Sequence, residues 1–297
     1  MEMLHYDFMQ RAFFTGGLIA LLASVLGVYL MLRRQALMAD MLSHVSLAGV
    51  AAGAYLHLNP TLTGFAVAVL GAIVVEYVRR FYKTYSDIAV AIVMVGGLST
   101  AVILMSLNQG INKSFSSYLF GSVVAVNRTE MMLMILVAAV GGLFFTIFRR
   151  PLYQIAFDED TAKASGLPVR PISLCFSILT GMIVAAAMPI VGVLLVSSLM
   201  VLPAALAIRI ASSFAAALLL SMTFGLVGVF SGLTASYEWS TPPGGTIAFV
   251  LLVLWAGGIG VRKAWRKLGK RRPHSRPEAQ TPVSSPIPRL AEERSEL

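Results

Sequence analysis

The chain has 297 residues, of which 57% are hydrophobic and 12% charged, and its mean hydropathy is +0.80. That balance excludes a soluble globular domain and describes an all-α, polytopic membrane protein. The net charge of +9 is carried by basic residues at the ends of apolar runs and in the last stretch of the chain, which is a topological pattern and not a nucleic-acid footprint.

In chain order, residues 1–15 lack a basic leader and a small-residue cleavage site, so no removable signal peptide is expected. Apolar runs long enough to cross a bilayer predict spans at 12–32, 39–56, 62–78, 88–107, 130–148, 172–188, 190–208, 214–235 and 246–261. That is nine, within a range of eight to nine for the bundle, with Pro189 marking the break between the sixth and seventh. Arg33, Arg34, Arg79, Arg80, Lys83, Arg149, Arg150, Arg209, Arg262 and Lys263 are expected at the cytoplasmic side. The N-terminus and the turns at 57–60, 108–128 and 237–245 are then outside. The transmembrane domain is predicted over 1–263. Residues 264–297, charged and rich in Pro and Ser, are expected to be a disordered cytoplasmic tail whose basic start rests on anionic lipid. The single cysteine, Cys175, lies in an apolar run, so neither an intrachain disulfide nor a thiolate metal site is expected.

Ionisable side chains inside apolar runs are costly, so Asp40 and His44 stand out. Their spacing puts a carboxylate and an imidazole on one helical face, able to converge on one cation or proton. An oxygen and a nitrogen ligand suit zinc or manganese better than magnesium, calcium or copper(I). Two ligands are few for capture, and a two-fold dimer with this helix at the axis would supply four. The small-residue spacing of Gly49 and Gly53 favours such a close contact. The structural alternative has Asp40 capping its helix and His44 bonded to a backbone carbonyl. Glu76 is expected to pair with Arg79 and Arg80 on its own helix. His57 lies about 20 Å along the helix from His44, too far to share its site, and is left as a candidate for an outer entry site.

The loop over 150–171 carries helix punctuation. Asp158 is a good N-cap, Glu159 and Asp160 favour the positive helix end, Gly166 fits just past the C-terminus and Pro168 forbids continuation. A short helix over Asp158, Glu159, Asp160, Thr161, Ala162, Lys163, Ala164 and Ser165 is predicted, either a knob for a soluble partner or an ordinary connector. No phosphate-binding Gly-x-x-x-x-Gly-Lys-[Ser/Thr] loop, His-Glu-x-x-His or Gly-x-Ser-x-Gly occurs, so the chain is not expected to be an enzyme, and if it serves a pump the ATPase is another chain.

Four segments resemble the integral-membrane permeases of ATP-binding-cassette importers for zinc, manganese and iron. They are Arg33-Arg34 with Met38-Ala-Asp-Met-Leu-Ser-His-Val-Ser-Leu-Ala-Gly49, Tyr118-Leu-Phe-Gly-Ser122, Phe157 through Val169, and Val191-Gly-Val-Leu-Leu-Val-Ser-Ser-Leu-Met-Val-Leu-Pro-Ala204. The resemblance implies a homodimer or a pair of related subunits in a bacterial cytoplasmic membrane, two cytoplasmic ATPase subunits beneath, and an extracytoplasmic binding protein that delivers the ion. It further implies that Asp40 and His44 contact the metal and that Asp158 through Gly166 form the coupling helix, with no covalent cofactor. Ser43-His-Val-Ser-Leu-Ala-Gly49 leans toward zinc members, since manganese members often have Pro where Ala48 stands. Two other classes remain open: a secondary transporter relaying protons through Asp40 and His44, and, more remotely, a hydrolase using Ser43 or Ser46.

Overall fold

An apolar run without proline makes the first helix, α1 (Asp7–Leu32), and α2 (Leu37–Tyr55) follows after a tight turn. Asn59 then starts α3 (Pro60–Phe81): its side chain accepts from the backbone N–H groups of Thr61 and Leu62, and Pro60 occupies a helix position that needs no N–H partner. After α4 (Ser86–Ser106) and α5 (Asn112–Phe120), α6 (Arg128–Ile147) begins with a capping box in which Asn127 and Glu130 satisfy each other's backbone N–H groups. Two short helices follow, α7 (Arg149–Phe157) and α8 (Glu159–Ala164), then α9 (Val169–Val191) and α10 (Val196–Ile210). Ser213 caps α11 (Phe214–Trp239), and α12 (Pro243–Gly269) completes the bundle. The computed structural model describes residues 7–82, 86–107, 112–122 and 127–269, and these contain no strand.

Eight helices, α1, α2, α3, α4, α6, α9, α11 and α12, are long and apolar enough to cross a membrane. The seventh predicted span differs: α10 has 15 residues, a rise of about 22 Å against a hydrocarbon core of about 30 Å. Five of the basic residues expected at the cytoplasmic side line two cavities. Arg33, Arg79, Arg80 and Arg170 line one cavity, and Arg149 and Arg150 line another with Phe214. Lys83 lies outside the described residues.

The core forms around α1, α2 and α9, the most deeply buried spans. Tyr29 stacks on Phe145 with ring centroids 5.5 Å apart and meets Phe176 and Phe214 edge-on, joining four helices at one point. By contrast α4 and α6 turn Val102, Ile103, Leu136 and Leu143 outward, the composition a lipid-facing surface requires.

The break expected at Pro189 falls elsewhere. Pro189 sits inside α9, and the chain opens at Gly192, where φ is +86°. The reason lies in the segment around Gly121 (φ +78°), which crosses the end of α9 in backbone contact. Ser122 N–H donates to Pro189 O at 3.0 Å and Val193 N–H to Tyr118 O at 2.9 Å, so groups freed by the break are satisfied by 118–122. A Cβ at Gly192 would strike the backbone of Leu119, Phe120 and Gly121, and one at Gly121 that of Ile190 and Val191. Thus 108–128 is no simple outer turn: it holds α5 and this strap. At the other end α12 continues past the expected boundary at Lys263 to Gly269, and the remainder of the predicted tail lies outside the described residues.

Gly49 and Gly53 also serve a different contact from the one expected. They face α3 of the same chain, where Thr63 and Gly64 leave no room for a Cβ, so this small-residue seam is spent inside one protomer.

Candidate functional site

Asp40 lies in the first turn of α2, but it does not cap that helix: the cap position is Ala36, which is helical and has no side-chain bond. Oδ1 of Asp40 lies 4.0 Å from Nε2 of His44. The other imidazole nitrogen, Nδ1, is buried with no hydrogen-bond partner among the described residues. Neither side chain therefore plays the capping or carbonyl-bonding part that a structural role would give it. The Asp40 side chain is 33% exposed and that of His44 13%; Leu37, one turn before Asp40, is exposed, whereas Ala48 and Ala51 beyond His44 are buried.

The neighbouring polar groups sharpen the site. Ser197, near the start of α10, donates to Asp40 Oδ1 at 3.4 Å. Ser43 donates to Asp40 O at 2.7 Å and Ser46 to Gly64 O at 3.2 Å, so both serines beside His44 are turned to backbone and neither is poised as a nucleophile. Among the described residues no cluster of three or more His, Cys, Asp or Glu could hold a metal. Asp40 and His44 are thus two candidate ligands, one oxygen and one nitrogen, on one face of α2.

Glu76 forms the expected local pairs, with Arg79 at 3.1 Å and Arg80 at 3.5 Å, and also accepts from Ser177 of α9 at 3.0 Å. His57 lies in the turn after α2 with φ +58°, exposed and remote from His44. Cys175 faces outward from α9.

In the loop, Asp158 caps α8 by accepting from the N–H groups of Asp160 and Thr161. Hydrogen bonds from the Thr161 hydroxyl and backbone hold its carboxyl below the usual aspartate range. Lys163 pairs with Glu159 at 2.9 Å and Asp160 at 3.3 Å, and Gly166 turns the chain at φ +80°. Within α8 only Ala162 is buried; the other positions are exposed, with Glu159, Asp160 and Lys163 bordering a cavity.

Sequence reading missed Ser197, whose signal was a serine pair inside an apolar run. It also missed a polar cluster at the opposite end of α3 from Glu76, where Thr61 donates to Glu130 at 3.2 Å and lies 3.4 Å from the Tyr118 hydroxyl.

The profile of the ABC 3 transport family matches residues 5–260. The chain belongs to that family. It is a multi-pass protein of the bacterial cytoplasmic membrane. Among curated relatives, it is 36% identical over 254 residues to the "Probable metal transport system membrane protein" of Treponema pallidum, covering 85% of this chain and 94% of that one. It is 28% identical over 259 residues to the manganese transport system membrane protein MntC of Halalkalibacterium halodurans, covering 86% and 87%. Among solved structures, PsaBC from Streptococcus pneumoniae in complex with Fab matches with a TM-score of 0.76 and 29% identity, covering 86% of this chain and 92% of that one. The matched range runs from before α1 into α12 and includes both α2 and α8.

Proposed function

We propose that the chain is the permease subunit of an ATP-driven importer for a divalent transition-metal ion, with Asp40 and His44 as the transient ion ligands. The observation that carries this reading is the half-site: a carboxylate oxygen and an imidazole nitrogen 4.0 Å apart on a partly open face, with the second imidazole nitrogen unpartnered. A second protomer meeting that face brings the set to two oxygens and two nitrogens, and two ligands per chain suit an ion that must also leave.

Manganese replaces zinc as the leading substrate. A mixed carboxylate and imidazole set accommodates either, and manganese is the metal named for MntC. The lean toward zinc rested on Ala48 in a short stretch of α2.

ATP hydrolysis belongs to separate cytoplasmic subunits, since the chain carries no phosphate-binding loop. The α8 knob, Asp158 to Gly166, docks into them and transmits their closure, which alternates access to the half-site. An extracytoplasmic binding protein delivers the ion. The test is uptake of manganese and of zinc, each in competition with the other, by proteoliposomes holding the chain with its cognate ATPase and binding protein. ATP-dependent accumulation of manganese over zinc supports the whole reading. Preference for zinc reverses only the metal, and uptake that needs no ATPase defeats it.

A further inference from the structure

A cavity of about 1210 Å³ opens between the ends of α1, α3 and α9 and the inner side of α8. Five cations line it, Arg33, Arg79, Arg80, Lys163 and Arg170, against the carboxylates Glu76, Glu159 and Asp160. All three carboxylates are engaged: Glu76 holds Arg79 and Arg80, while Glu159 and Asp160 hold Lys163. Arg33 and Arg170 form no direct ion pair among the described residues.

Arg33 is the more telling of the two. Its Nη2 donates to Ser173 Oγ at 2.8 Å and its guanidinium lies over the Phe176 ring, 4.9 Å from the centroid. Its Nη1 is buried with no partner. Burial, and then the nearby Arg79, push the Arg33 guanidinium down to about 10. Glu76 and Glu159 act on it only at a distance and in the opposite sense, so the guanidinium stays charged at neutral pH with no direct ion pair and an unpartnered Nη1, a cost that an incoming anion would relieve.

We propose that this cavity binds a phosphate-bearing anion, with Arg33 and Arg170 as its cationic contacts. Guanidinium groups match phosphate oxygens in both charge and hydrogen-bond geometry. A lipid headgroup at the inner membrane boundary and a free phosphate present the same chemistry here. The bound anion would tie the ends of α1 and α9 to the base of α8.

The test uses the purified permease–ATPase complex, delipidated in detergent and titrated with short-chain phosphatidylglycerol or with inorganic phosphate, bound species being counted by native mass spectrometry. The Arg33→Gln/Arg170→Gln complex is expected to bind at least about tenfold more weakly than wild type, the loss of about one charge-assisted contact. Arg149→Gln/Arg150→Gln, which alters cations at the neighbouring cavity, is expected to bind as wild type. Retention of phosphatidylglycerol against inorganic phosphate identifies a lipid headgroup, and binding of phosphate that displaces the lipid identifies a free anion. Should the double variant not assemble, Arg170→Gln alone, at an exposed position, must still weaken binding. Equal binding by wild type and the cavity variants, or none by wild type, overturns the proposal.

Discussion

The Ser197 hydroxyl donates to Asp40 Oδ1 across 3.4 Å, joining the start of α10 to the helix that bears the candidate ion ligands. Ser197 thereby orients the carboxylate without being an obvious ligand itself. Ser197→Ala is expected to lose about 1 kcal/mol of that orientation, read as about a fivefold rise in the metal concentration for half-maximal uptake, with assembly unchanged. Uptake at wild-type concentrations in the variant would show that Asp40 is held by other means.

Glu76 is a buried charge whose removal leaves Arg79 and Arg80 without their counter-ion and Ser177 without its acceptor. Glu76→Ala is therefore expected to cost about 3 kcal/mol or more, visible as a lower melting temperature of the purified complex. An unchanged melting temperature would mean that water replaces the carboxylate at no cost.

The strap at 118–122 demands glycine where φ is positive and backbones touch. Gly192→Ala is expected to destabilise by more than about 1 kcal/mol from backbone conformation alone, and the Cβ would strike the backbone of three consecutive residues, Leu119, Phe120 and Gly121, besides. Gly245→Ala, with open space around the added carbon, serves as the control. The comparison is the yield of monodisperse protein, low for Gly192→Ala and normal for Gly245→Ala.

Asp158 titrates below the usual aspartate range because its charged form accepts hydrogen bonds from Thr161 and Asp160. A depressed carboxylate stabilises the cap fully above its ordinary value and releases it only as pH falls through the depressed one. The cap should therefore be intact throughout pH 5 to 8, a window lying about one unit or more above the ordinary aspartate value. If α8 transmits ATPase closure, Asp158→Ala keeps ATP hydrolysis but loses transport per ATP, with no recovery across that pH range. Coupling equal to wild type would reduce α8 to a connector.

Much of the architecture was legible because lipid imposes long apolar runs, and α1, α3, α4, α6 and α11 overlay the predicted spans closely. Local chemistry was equally readable: the Asp158 cap, the Gly166 turn and the Glu76 pairs are decided within a few residues of each other in sequence. What escaped depends on distant partners. Pro189 looks like a break, yet the helix continues to Val191 and opens at Gly192, three residues further on, where the 118–122 strap receives the broken backbone. Gly49 and Gly53 look like a dimer seam, yet α3 takes them. Asp40 and His44 were visible as costly residues, whereas Ser197, 157 positions from Asp40, had only its place in an apolar run to mark it.

On the proposed function, Asp40 and His44 hold the transported ion. The most direct measurement is ATP-dependent manganese and zinc uptake by proteoliposomes of the complete importer, comparing wild type with Asp40→Ala and His44→Ala at matched assembly and ATPase activity. Both variants are expected to assemble and hydrolyse ATP while uptake falls to background. Transport at wild-type rates in both variants would contradict the proposed function and move the ion path away from α2.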